Sequence, residues 1–159
     1  MLKRRILEPI RLVLPDDEAI DLDASDYAAY LDGWCDWKHL KMRDGQQATV
    51  FTMRQLTHRQ KVAREQYGNA YAQAVFTARC GLVDVSGLEV QHPDGTTTLV
   101  SQPTRKREGD LGELVDERWF EDARLSSNQV TALSLAAWAA SEVSLPLLRV
   151  LGTLSGGSA

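Results

Sequence analysis

Apolar positions along the chain fall into short blocks, and the spacing inside each block sets the element it predicts. Ile10-Arg11-Leu12-Val13-Leu14 is short and rich in branched residues, then meets Pro15 and a run of carboxylates, so it reads as a strand ended by a turn. Asp23 to Leu31 reads as a short helix capped by Asp23 or Ser25, with Tyr27, Tyr30 and Leu31 on one face and Gly33 at its end. Two Asp-Gly dipeptides mark hairpins, because Asp-Gly supplies the positive φ angles of a tight turn. Asp44-Gly45 separates HLKMR from QQATVFTMRQL, and Asp94-Gly95 separates LEVQHP from TTTLV. In the first, Phe51 and Met53 alternate with Val50 and Thr52, which gives the strand something apolar on both faces.

Helical spacing takes over after Thr57, a good acceptor for the free N–H groups of a first turn. Ala63, Tyr67, Ala70, Ala74 and Ala78 recur on one face, and Gly68-Asn69 is either a break between two helices or a tolerated weak point. The alanines imply close approach of another element, and Cys80-Gly81 ends the run with Gly81 as a left-handed cap. Ser101 to Gly112 is charged, carries Pro and Gly, and predicts a long loop or projecting arm. Val115 to Ala123 predicts a helix anchored by Trp119 and Phe120. Ser126 and Gln129 have capping-box spacing, Leu125 and Val130 fit a hydrophobic staple, and Val130, Leu133, Ala137 and Trp138 continue a helix that Pro146 stops. The pattern as a whole predicts an α+β fold: a small antiparallel sheet with two Asp-Gly hairpins, packed against several helices. Residues 1–146 form one domain in this reading, and 147–159 a C-terminal extension, apolar at first and then Gly/Ser-rich.

At 159 residues, with 43% hydrophobic and 25% charged positions, the chain has the composition of one globular domain with a real core. Its formal charge of −4 gives no general attraction to nucleic acid. Two cysteines, Cys35 and Cys80, build no disulfide framework. The basic start MLKRR runs into Glu8, Pro9 and Arg11, which does not suit a signal peptide, and no apolar run approaches the length of a membrane span. The expectation is therefore a protein made in a cytoplasm, with no membrane among its partners. Charge is uneven along the chain: Asp16 to Asp36 is acidic, while Lys38 to Arg64 is basic. Either these are solvated faces, or they are the two sides of a subunit that packs head to tail in a ring.

The densest chemistry is Trp34-Cys35-Asp36-Trp37-Lys38-His39. Cys35 and His39 lie four apart, but zinc needs four ligands, and Cys80, His58 and His92 are scattered singly. A Cys35 nucleophile with His39 as base remains as an alternative, without an orienting third group in sequence. Large amphipathic rings more often anchor a surface, so Trp34, Trp37 and Lys38 are taken as candidate interface residues. Glycine-rich phosphate loops, G-x-S-x-G and H-E-x-x-H are all missing from the sequence. No cofactor or metal is expected and no catalytic residue is assigned. Arg105, Lys106 and Arg107 form a short basic patch for which a solvated or interface role is favoured over DNA contact. Leu147, Leu148, Val150, Leu151 and Leu154 are apolar enough to require a partner surface.

Residues 49 to 89 resemble small tailed-bacteriophage morphogenesis proteins, including some tail assembly chaperones. The matching features are Arg54-Gln55-Leu56-Thr57 leading into a helix, the alanine-rich run Ala70 to Cys80, and Gly81 to Leu88 before a hairpin. The resemblance implies a non-enzymatic structural or assembly protein, placed at the neck, head–tail junction or tail. Its partners would be other phage structural proteins and copies of itself, first in the host cytoplasm and then in the virion. The alternatives are a tail assembly chaperone absent from the finished particle and a small cysteine-dependent enzyme using Cys35 and His39.

Overall fold

Strand β2 (Val50–Met53) is the centre of the molecule, because its side chains find apolar partners on both faces. The computed structural model describes residues 8–142. Strand β1 (Ile10–Leu12) pairs with one side of β2, and β3 (Leu82–Ser86) pairs with the other, giving an antiparallel sheet in the order β1-β2-β3. Phe51 and Met53 point into the main core with Ile10, Leu12, Leu82 and Val85. On the other face Val50 joins Val13 and Ile20 in a second, smaller cluster, closed by Trp37, Leu40, Met42 and Ala48. A strand buried on both faces is expected to be apolar throughout, and only Thr52 departs from that.

The loops between β1 and β2 hold helix α1 (Tyr27–Asp32) and a 3-10 turn at Trp37–His39. Helix α1 is capped by Asp26, which accepts from Ala29 N–H, and not by Asp23 or Ser25. Gly33 ends it without a left-handed turn (φ −83°). Asp44-Gly45 does turn, with Gly45 at φ +72°, but its arms do not pair with each other. Met42 bridges Ile20 instead, and Val50–Met53 belongs to the central sheet, so the first expected hairpin is absent.

Helices α2 (His58–Arg64) and α3 (Ala70–Gly81) are separated at Gly68-Asn69, where Asn69 caps α3 by accepting from Tyr71 and Ala72 N–H. Thr57 and Gln60 form a full capping box on α2. Helix α3 runs without a loop into β3, and Gly81 lies inside the helix with a negative φ, not at a left-handed cap. Its glycine is explained by proximity. A Cβ on Gly81 would overlap the Cβ of Ala137 on α5 (Ser127–Ser141), so no larger side chain fits between these helices.

The remaining chain makes two small hairpins and a helical corner. Strands β4 (Glu89–Gln91) and β5 (Thr97–Leu99) pair around Asp94-Gly95, as expected. Strands β6 (Arg105–Arg107) and β7 (Glu113–Val115) pair across a 3-10 turn at Gly109–Leu111, where the sequence predicted a loop or arm. Helix α4 (Glu117–Asp122) follows, with Trp119 and Phe120 buried edge to face at 5.4 Å. Helix α5 begins with the predicted capping box of Ser126 and Gln129. It is buried on most of its circumference through Val130, Leu133, Ala136, Ala137, Ala139 and Ala140. The result is an α+β fold with its main core between the sheet and α3 and α5.

The α3–α5 contact gives a direct test. Gly81→Ala should cost about 1–3 kcal/mol in denaturant unfolding, because the added methyl meets Ala137. Ala137→Gly alone should cost about 1 kcal/mol of helix propensity. In the double variant the overlap is gone, so its loss should be smaller than the sum of the two single losses.

Candidate functional site

Three places concentrate side-chain chemistry: the free edge of β1, the free edge of β3, and an open groove beside the β4–β5 hairpin.

At β1 the edge is closed by aromatic side chains from the next segment of chain. Val13 N–H donates to the Tyr30 hydroxyl at 2.8 Å, and that hydroxyl donates to the Arg11 carbonyl at 3.0 Å. Tyr27 O–H donates to the Val13 carbonyl at 2.7 Å, and Trp37 Nε1–H to the Arg11 carbonyl at 3.2 Å. The Arg11 guanidinium sits over the Trp37 ring, 5.2 Å from its centre. Trp37 thus uses its indole N–H and one ring face within its own chain and leaves the rest half exposed. Trp34 packs half-buried against the main core, and Lys38 is exposed and paired with Asp36 at 3.3 Å. A surface pair of this kind contributes little to stability.

This arrangement is held by an unusual backbone. Trp34 and Cys35 both lie in the left-handed region, at φ 55° and 67°, which side chains other than glycine seldom adopt. The turn is fixed because Cys35 N–H and Asp36 N–H both donate to the Tyr30 carbonyl, at 2.8 and 3.1 Å. It drives Cys35 inward beside Tyr30, where burial pushes the thiol up to about 12. Burial likewise raises both tyrosine phenols well above their ordinary value, so they stay neutral donors. Cys80 is also buried, and its thiol is pushed up to about 12.

At β3 the edge is closed by polar side chains. The Gln102 amide behaves like one residue of a missing strand: its oxygen accepts from Val85 N–H at 3.0 Å, and its nitrogen donates to the Val85 carbonyl. A bulge leaves Val83 out of register between Leu82 and Asp84, and Arg105 Nη2 donates to both the Leu82 and Val83 carbonyls. Its Nη1 is enclosed with no partner among the described residues. Arg105 is therefore spent on its own fold, whereas Lys106 and Arg107 are exposed. Behind them the buried Arg79 donates to the Val115 carbonyl at 2.7 Å and to Glu108 at 2.8 Å, which holds the Glu108 carboxyl below its ordinary value.

The groove was not foreseen from sequence. The β4–β5 hairpin stands away from the body, with Leu99 67% exposed, and is tied at its base by Val100 N–H donating to the Leu88 carbonyl at 2.8 Å. An open hollow of about 920 Å³ lies between this hairpin and the α4–α5 corner. A second, of about 640 Å³, lies between the hairpin base and the loop after β1. They share Leu88, Glu89, Leu125 and Gln129, so the two hollows adjoin along one grooved surface. Its walls carry Asp16, Asp17, Glu18, Glu89, Glu121 and Asp122 against Arg124 and His92.

The other expected site residues are dispersed. His58 opens α2 and is exposed, and His92 contacts the Thr98 hydroxyl at 2.7 Å on the hairpin. No group of three or more His, Cys, Asp or Glu among the described residues is placed to hold a metal ion. No helix among them is long and apolar enough to cross a membrane. Leu147, Leu148, Val150, Leu151 and Leu154, with the extension 147–159, lie outside the described residues. Comparison of the chain with family models, curated proteins and solved structures finds no match.

Two outcomes check the edge geometry and the thiols. Tyr30→Phe removes one acceptor and one donor at the β1 edge and leaves the buried Val13 N–H unpaired, so unfolding stability should fall by about 1–3 kcal/mol. A disulfide reagent at pH 7 to 8 should label neither thiol of the native protein at an appreciable rate and both after denaturation. Fast native labelling of Cys35 would show an accessible, activated thiol.

Proposed function

We propose that this chain is a non-enzymatic structural or assembly protein of a tailed bacteriophage, working through protein–protein contacts, and that it belongs at the neck, head–tail junction or tail. The observation that carries the protein-contact reading is the β4–β5 hairpin. A two-stranded hairpin with nearly every residue exposed has little to hold it in water, and Leu99 at its end is 67% exposed beside an open groove. Such an element gains most when another polypeptide covers it. The phage assignment rests on the resemblance of residues 49 to 89. In support, β2, α2, α3, β3 and the β4–β5 hairpin follow in the order of the features that carry that resemblance.

Burial of both thiols weighs against the cysteine-enzyme alternative, since a thiol pushed up to about 12 supplies almost no thiolate at neutral pH. The chaperone alternative differs only in whether the chain stays in the particle.

Leu99→Asp tests the reading. The side chain is exposed, so the variant should melt within a degree or two of the parent. In the phage that encodes the chain, it should cut the yield of tailed, infectious particles at least about tenfold, as expected when an interface anchor is lost. Mass spectrometry of purified parent particles should find the chain in fixed proportion to the other components. Its absence from particles, together with capture of a tail protein during assembly, would move it to the chaperone class. Full particle yield with Leu99→Asp and no chain in the particle would end the proposal.

A further inference from the structure

We propose that the groove beside the β4–β5 hairpin receives the basic segment Lys3-Arg4-Arg5 of a second copy, so that subunits join head to tail. The proposal rests on the protein-contact reading above and names the partner and the contact.

Charge is the first reason. Glu18, Glu89, Glu121 and Asp122 on the groove walls are exposed and have no cationic partner among the described residues. Asp16 accepts from Gln129 Nε2 at 3.1 Å, and Asp17 from Ala19 and Thr49 N–H, so these two shape the wall. Arg124 opposes the trend at the α4–α5 corner and leaves the balance strongly negative. Between the carboxylates lie Leu88, Val90, Leu99, Val100 and Leu125. An occupant with cations flanked by apolar residues fits this lining. The sequence just before the described residues, Leu2-Lys3-Arg4-Arg5-Ile6-Leu7, has that composition.

Position is the second reason. The groove sits where α5 begins, since Gln129 lines it and bonds Asp16. At the other end of α5, Gln55 Nε2 donates to the Ala140 carbonyl and Leu56 N–H to the Ser141 hydroxyl. Met53, just before that segment, pairs with Ile10. The chain therefore enters at Glu8 on the side of the molecule away from the groove. At 1.5 Å per helical residue, Gln129 and Ser141 are roughly 18 Å apart. Lys3 precedes Glu8 by five residues, a reach of about 17 Å at full extension. That leaves nothing for reversing direction, and the outer edge of β1 is already occupied by Tyr27, Tyr30 and Trp37. In this proposal the segment of one molecule therefore enters the next molecule's groove and not its own. A contact between two different surfaces repeats, closing into a ring or extending as a filament.

A charge swap on the full chain tests this by sedimentation. The parent should self-associate at low salt, and association should weaken as salt screens the charges. Lys3→Glu/Arg4→Glu/Arg5→Glu should weaken it by at least about tenfold, and so should Glu18→Lys/Glu89→Lys/Glu121→Lys, each variant melting like the parent. Mixing the two variants should restore assembly, because the basic segment of the second meets the acidic groove of the first, and the acidic segment of the first meets the basic groove of the second. Assembly that persists in the first variant, or a mixture that stays dispersed, overturns the inference and leaves the protein-contact reading standing. Loss of assembly in Leu148→Asp/Leu151→Asp but not in the charge variants gives the groove to the C-terminal segment and overturns it equally. A parent that is monomeric at every concentration overturns it too. If that monomer also fails to enter particles and captures no tail protein during assembly, the protein-contact reading falls with it.

Discussion

The structure depends on side chains closing the edges of a sheet too narrow to close itself. A three-stranded sheet has two edge strands and one interior strand, so the outward backbone groups of both β1 and β3 are at risk of lying unpaired against core or water. Here each edge is finished by side chains from the segment that follows it in the chain. Tyr30 and Trp37 donate to the Arg11 carbonyl of β1 and Tyr27 to that of Val13 just past it, while Gln102 and Arg105 take the carbonyls of β3. The aromatic solution also provides packing, because Trp37 touches both apolar clusters and Tyr30 is fully buried. The polar solution lets β3 carry a bulge, since Arg105 reaches the carbonyls that the bulge turns outward. The left-handed turn at Trp34 and Cys35 is tolerated because it places the first of these closures.

Helix α5 is the second organising element. It crosses the molecule against α3 and the sheet, and the contact is close because alanines and Gly81 meet there. Both its ends are tied by side chains from elsewhere, Asp16 at the start and Gln55 at the finish. Those ties fix the distance between the groove and the point where the chain enters, and they put the exposed hairpin at one end of the body.

What could be read from the sequence was what is local. The cap at Thr57, the capping box Ser126–Gln129, the Asp94-Gly95 hairpin and the apolar alternation of β2 involve residues a few positions apart, and all are present. The alanine run announced a close neighbour without naming it. Non-local choices were not legible. Asp44-Gly45 turns as its chemistry requires, but which strand Val50–Met53 joins is decided by Ile10–Leu12 and Leu82–Ser86, far away in sequence. Arg105-Lys106-Arg107 hid a strand behind three charges, since its pairing with β7 is made by backbone and carries no apolar signature. At the sites, Trp37 was readable as an anchor from its type. The destinations of the tyrosine hydroxyls and of the Gln102 amide were not, and neither was a groove whose walls come from five separate stretches.

The order in which these parts leave a ribosome follows from where they lie. The aromatic cover of β1 emerges soon after that strand and before β2, so this edge can be shielded while the sheet is still incomplete. Helix α5 comes last among the described elements, and it supplies much of the apolar surface on which β1, β2 and α3 rest. During translation the growing chain therefore holds a nearly finished sheet with one side bare until Ser127–Ser141 has been made. Interruption shortly before that point leaves a nascent product with its greasiest face uncovered.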